Sequence, residues 1–80
     1  MSNRERMYNL ITMAMGTSNE VNIGIQKAAA IMDLRIQEVM ESLDELVDSG
    51  YFKYEMEVIE AMGKKLETGI AMVTRVKGGV

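Results

Sequence analysis

Apolar residues recur with a helical period in the middle of the chain. Between residues 35 and 49 they are separated by three or four positions, the spacing of a helix with one buried face. These positions are Ile36, Val39, Met40, Leu43, Leu46 and Val47. Gly50 follows, where a residue with a left-handed backbone commonly ends a helix. The pattern predicts a helix over 35–49.

Two shorter helical patterns precede this one. Ser2 and Glu5 have the spacing of a capping box, so we predict a first helix over 3–15 that ends at Gly16. Its apolar face comprises Met7, Leu10, Ile11 and Ala14. A second helix is predicted over 24–32, with Ile25, Ala28, Ala29 and Met32 on one side. Asp33 follows in a turn, and aspartate tolerates a left-handed backbone better than most residues do.

After Gly50 the apolar period changes to two. Phe52, Tyr54, Met56 and Val58 alternate with charged residues, which predicts a half-buried strand. A turn over 61–65 leads to a second strand from Leu66 to Lys77, with Ile70, Met72, Thr74 and Val76 facing one way. Gly69 inside this strand indicates a bulge. The sequence thus predicts a hairpin over 51–77, and a weak alternation near 20–23 indicates a short third strand.

Length and composition limit the chemistry that is available. Eighty residues form one small domain, which is expected to span 1–80. Cysteine and histidine are absent, which excludes disulfides, thiolate chemistry and the usual zinc ligand sets. The chain also lacks a Walker or dinucleotide-type glycine loop. We therefore expect no enzymatic activity, no metal site and no cofactor.

The same composition bears on localisation and self-association. The longest apolar run is too short to cross a bilayer and the N-terminus lacks a signal-peptide pattern, so we expect a cytoplasmic protein without a membrane partner. Small domains often gain stability by self-association, which favours a homodimer. Met13 and Met15 offer additional apolar surface on the first helix for such a contact.

The charge of the chain is unevenly distributed. The formal net charge is −3, and residues 34–50 place Arg35 among five carboxylates, a local net charge of −4. An acidic chain is not an obvious nucleic-acid binder, because affinity for DNA depends strongly on phosphate contacts made by lysine and arginine.

One stretch resembles a known superfamily. Apolar Met32, turn residue Asp33 and apolar Leu34 precede the third helix, and residues 46–52 read Leu-Val-Asp-Ser-Gly-Tyr-Phe. A helical period, a glycine stop and a strand period in this order resemble the winged helix-turn-helix superfamily. The resemblance implies a single α+β domain with three helices and a C-terminal hairpin called the wing. Its order would be helix, short strand, helix, helix, strand, strand.

The resemblance also implies a function. In DNA-binding members of the superfamily the third helix enters the major groove and the wing contacts phosphates. By position, Arg35 and Gln37 would contact bases beside Glu41, Ile36 and Met40, while Lys27, Lys64 and Lys65 would contact phosphates. The implied protein is a small transcriptional regulator that binds double-stranded DNA, as a homodimer. Folding would have to bring its dispersed cations together.

The same helix supports a second hypothesis. Ile36 and Met40 occupy positions where DNA-reading helices usually carry polar residues, and Glu41 would face phosphates. A protein-interaction module or inhibitor could instead use the acidic and apolar face of this helix against a basic protein surface. That face comprises Ile36, Met40, Glu41, Asp44 and Glu45. Simpler structural roles exist for these residues, since Ile36 and Met40 could extend the core and the carboxylates could form a solvated face.

Overall fold

The computed structural model describes residues 1–76 as three helices and a three-stranded antiparallel sheet. In chain order the elements are α1 (Asn3–Met15), β1 (Glu20–Gly24), α2 (Ile25–Met32), α3 (Ile36–Asp48), β2 (Phe52–Ala61) and β3 (Lys64–Arg75). The predicted α+β class and the short third strand are confirmed. Strand β1 takes up Gly24, so α2 begins one residue later than predicted. The predicted end of the hairpin at Lys77 lies outside the described residues.

Strand β3 is the central strand of the sheet, in the order β1-β3-β2. Strand β1 pairs with β3 only from Glu20 opposite Thr74 to Gly24 opposite Ile70. Strand β2 pairs with β3 from Phe52 opposite Arg75 to Ala61 opposite Lys64. Residues 58–61 and 64–67 therefore form a two-stranded extension without a third strand, which we call the distal ribbon.

The core lies where the three helices meet the inner face of the sheet. Its fully buried large side chains come from α1, α3 and both hairpin strands, namely Met7, Ile11, Val39, Leu43, Leu46, Phe52 and Val73. On α1 the buried stripe ends at Met15, whereas Ala14 is exposed. The predicted face of α1 was therefore partly wrong, because its core stripe follows steps of four residues. Met15 belongs to the core, and Met13 remains 82% exposed.

The two faces of β3 are unequally buried. Ala71 and Val73 are buried, and they lie opposite Ile23 and Val21 of β1. Met72 is 37% exposed on the outer face. Ile70, Met72 and Thr74 share the face opposite Ala71 and Val73, as the predicted alternation requires, but which of the two faces enters the core was not predicted. Ala71 and Val73 are buried in the core with residues of the helices, which lie far earlier in the chain.

Two turns orient the third helix. Asp33 adopts the expected left-handed conformation with φ 55°, and the Leu34 N–H donates to the Ala29 carbonyl at 2.9 Å. The Arg6 guanidinium donates to the Met32 carbonyl, which joins α1 to the end of α2. After α3, Gly50 has φ 85°, and a side chain would strain the backbone there. These turns leave one long side of α3 outside the core.

Candidate functional site

The start of α3 holds its arginine in a local ion pair. Glu38 Oε1 accepts the Arg35 backbone N–H at 3.1 Å and the Arg35 Nε–H at 3.2 Å. The backbone hydrogen bond first, and then the side-chain bond, lower the pKa of Glu38. The Arg35 side chain is still 85% exposed, so its remaining donors face solvent. Its positive charge lies directly beside a carboxylate.

The outer side of α3 is acidic. Its exposed carboxylates are Glu41, Asp44, Glu45 and Asp48, which we call the acidic face. At 3.6 residues per turn these four positions fall within an arc of about 100° around the helix. Gln37 is exposed within the same arc, one turn before Glu41. The acidic face therefore runs along most of the helix without an intervening cation.

An apolar flank borders the acidic face. Ile36 is 48% exposed, and Met40 and Val47 on the same side of α3 are half-buried. We call these three residues the apolar flank. Met40 also packs against the core, as expected if it extends the core. Ile36 leaves about half of its side chain available for a contact with another molecule.

Strand β2 lies beside this part of α3. The Tyr54 hydroxyl donates to Asp44 Oδ1 at 2.7 Å. That hydrogen bond is the main reason why the pKa of Tyr54 is raised to about 12, since ionisation of the phenol would remove its donor. The bond holds one carboxylate of the acidic face in place and fixes the base of the hairpin against the helix.

The lysines predicted to contact phosphates lie along β3. Lys27, in the first turn of α2, lines a groove of about 580 Å³ together with Asn22, Gly24 and residues 67–70. Glu67 is one of those residues. At the tip of the hairpin Lys65 lies directly opposite Glu60, and Lys64 lies opposite Ala61. Lys27 therefore lies beside the middle of β3, whereas Lys64 and Lys65 lie at its start, and a carboxylate is near each of these two places.

The six predicted DNA-contacting residues thus fall into two groups. Arg35, Gln37 and Glu41 are exposed at the start and on the outer side of α3, which packs against β2. Lys27, Lys64 and Lys65 are exposed along β3. Each group contains or adjoins at least one carboxylate. The acidic and apolar residues of the second hypothesis, in contrast, lie together on one side of α3.

Some residues that shape these surfaces were not found from the sequence. Tyr54 and Asp44 are ten residues apart in different elements, and no local pattern connects them. Glu60 and Lys65 lie at equal distances on either side of the Met62-Gly63 turn. Their pairing could have been predicted from the sequence if the exact position of the turn had been known. Arg6 donates to the Met32 carbonyl at the end of α2, a role that no pattern in the sequence indicates.

Residues 1–76 lack two other kinds of site. No helix in this range is long and apolar enough to cross a membrane. Within the same range, no three acidic side chains are grouped in a way that would hold a metal ion. No family model, curated protein or solved structure matches the chain. The function must therefore be inferred from the surfaces themselves.

Proposed function

We propose that this chain is a non-catalytic protein-interaction module or inhibitor of winged helix-turn-helix type, which binds a basic protein surface through α3. The proposal is carried by one observation, the run of exposed carboxylates on α3 beside the half-exposed Ile36. The winged-helix type is supported by the tight turn at Asp33 between α2 and α3 and by the hairpin that follows α3.

The acidic face and the apolar flank have complementary physical roles. Like-signed charges on one side of a helix attract a cationic partner at long range and accelerate association at low salt. Rim charges of this kind contribute less to affinity than a buried apolar centre does. Ile36 supplies such a centre, because burying its exposed half removes apolar surface from water.

DNA binding is the second candidate, and the exposure of Arg35 supports it. The guanidinium at the start of α3 is mostly open to solvent, and Gln37 is exposed two residues later. In this candidate Arg35 and Gln37 contact bases, while Lys27, Lys64 and Lys65 contact phosphates. The acidic face counts against it, because carboxylates near phosphates oppose the sequence-independent attraction that much of DNA affinity depends on.

The leading proposal is tested by affinity capture from cells that naturally express the chain. The bait is compared with a variant in which Glu41→Gln, Glu45→Gln and Asp48→Asn neutralise the acidic face, leaving Asp44 to bond Tyr54. A matched control neutralises three exposed carboxylates elsewhere, with Glu5→Gln, Glu20→Gln and Glu55→Gln. Both variants lose three negative charges. A difference in the protein that they retain therefore depends on where the carboxylates lie and not on the net charge.

We expect a basic protein to be retained by the unmodified chain and by the control, and to be lost from the variant without the acidic face. The captured protein should also elute as salt is raised, because exposed charges are screened within about 8 to 10 Å at physiological ionic strength. Equal retention by all three baits would contradict the assignment of α3 as the binding surface.

A further inference from the structure

The distal ribbon leaves one edge of the central strand open. Strand β1 stops opposite Ile70, so residues 64–67 of β3 pair with β2 on one side only, and Thr68 follows at the irregularity in the β2–β3 pairing. We call residues 64–68 the free edge. In the described chain, no backbone hydrogen bond outside the regular elements involves these residues. Unpaired N–H and C=O groups in a row are a template for another strand.

The ribbon also exposes apolar side chains that its own chain does not cover. Ile59 and Leu66 lie directly opposite each other and are each 48% exposed. Met62 in the turn is 100% exposed. A two-stranded ribbon with exposed apolar residues is only marginally stable in water, and additional strands would stabilise it.

We propose that the free edge pairs antiparallel with the free edge of a second copy of this chain, about a two-fold axis at Leu66. In this register Leu66 lies opposite the partner's Leu66, and Lys65 lies opposite the partner's Glu67. The symmetry creates the second Lys-Glu pair as well. The two ribbons then form one four-stranded sheet. This pairing does not depend on the function proposed for α3.

Charge selects this register over its neighbours. A two-fold axis perpendicular to the sheet requires a residue to face its own counterpart, so the alternatives are centred one residue away. Centring on Lys65 would oppose two lysines, and centring on Glu67 would oppose two glutamates, which destabilises a strand pair. Only the register at Leu66 replaces both repulsions with opposite-charge pairs.

Both faces of the combined sheet are then complementary. On one face Ile59, Leu66 and their two counterparts form a continuous apolar row across four strands. On the other face Lys65 lies between Glu60 of its own chain and the partner's Glu67. Lys64, on the same face as Leu66, lies opposite the partner's Thr68, and within each chain the Thr68 hydroxyl donates to Glu57 at 2.9 Å. Each tip lysine therefore has an anionic neighbour.

The same register gives the exposed Met62 a place to bind. Continuing the pairing past the free edge puts the partner's Gly63 beside Gly69, and the pairing must end there because Gly24 of β1 already pairs with Ile70 on this edge. The partner's Met62 follows at the end of β1. Gly69 and Ile70 line the groove of about 580 Å³ that also includes Gly24 and Lys27. The tip of one hairpin thus enters the groove of the other, and the exchange is reciprocal.

The first test is a charge exchange, measured on the full chain by sedimentation velocity and native mass spectrometry. We expect the unmodified chain to be a dimer at micromolar concentration. Lys65→Glu alone and Glu67→Lys alone each place like charges opposite each other twice, so each should weaken self-association by about tenfold or more. An equimolar mixture of the two variants restores both opposite-charge pairs and should form the heterodimer. That recovery also shows that both variants fold.

The second test uses the absence of cysteine from the chain. Leu66→Cys places a thiol opposite its own counterpart, with Cα atoms about 4.5 to 5.5 Å apart, within the range of a disulfide. Mild oxidation should therefore link this variant into dimers, whereas the exposed control Glu55→Cys should remain largely unlinked. A monomeric unmodified chain, a mixture without heterodimer, or equal cross-linking of both cysteine variants would overturn the proposal. Binding of a different protein to the ribbon of a monomer would overturn it too.

Discussion

At the scale of single residues, the bond between Tyr54 and Asp44 links the hairpin to α3. It joins a phenol on β2 to a carboxylate on the acidic face at 2.7 Å. The folded chain keeps the phenol protonated up to about pH 12, whereas an unperturbed tyrosine ionises near 10.0. The bond therefore stabilises the fold below pH 10.0, and its contribution is lost as the pH rises through about 12.

Titration of tyrosine absorbance measures this directly, because the chain has three tyrosines and no tryptophan. We expect a component with a pKa of about 12 that disappears in Tyr54→Phe. The variant should also lose about 1 kcal/mol or less of unfolding free energy at neutral pH, since the bond is accessible to solvent. A component near 12 that persists in Tyr54→Phe would refute the assignment.

At the scale of elements, α3 shows what the sequence could and could not predict. Its buried stripe followed from spacing, because Val39, Leu43 and Leu46 need only a helical period to share a face. The inward face of β3 did not follow, because the choice of face depends on the helices that pack with Ala71 and Val73 and lie far earlier in the chain. The carboxylates of the acidic face could be read from the sequence. Whether Lys64 and Lys65 lie close to them could not, because that depends on how the hairpin folds.

The start of α3 gives a prediction of its own. Arg35 has no acceptor to cap the helix, and Glu38 accepts the Arg35 backbone N–H instead. Since the pKa of Glu38 is lowered in the folded chain, this carboxylate contributes stability above its usual pKa of 4.5 and loses it as the pH falls through the lowered value. Glu38→Gln should therefore be less stable than the unmodified chain at pH 7.

The difference in stability between the unmodified chain and Glu38→Gln should shrink in strongly acidic solution, because Glu38 is then protonated and uncharged like the glutamine. Urea unfolding midpoints at the two pH values measure the effect, and Glu41→Gln on the same helix is the control. Equal midpoints of the unmodified chain and Glu38→Gln at pH 7 would show that the carboxylate does not stabilise the start of α3.

At the scale of the whole molecule, the fold separates a net charge of −3 into distinct surfaces. The acidic face of α3 has no cation within it, whereas Lys27, Lys64 and Lys65 lie along β3 near Glu60 and Glu67. Spacing alone could not predict that Lys27 and Glu67 share a groove, because forty residues separate them. We therefore expect the surface of α3 to attract cations and repel polyanions.

Fluorescence anisotropy with a labelled random DNA duplex at low salt tests this central claim most directly. DNA-binding proteins bind nonspecifically with dissociation constants of about 10⁻⁴ to 10⁻⁶ M at physiological salt and more tightly at low salt. We predict no binding of this chain at micromolar concentration. Binding that weakens steeply with salt and is reduced by Lys64→Ala with Lys65→Ala would contradict the account and favour the DNA-binding candidate, as would a change in sequence preference caused by Gln37→Ala.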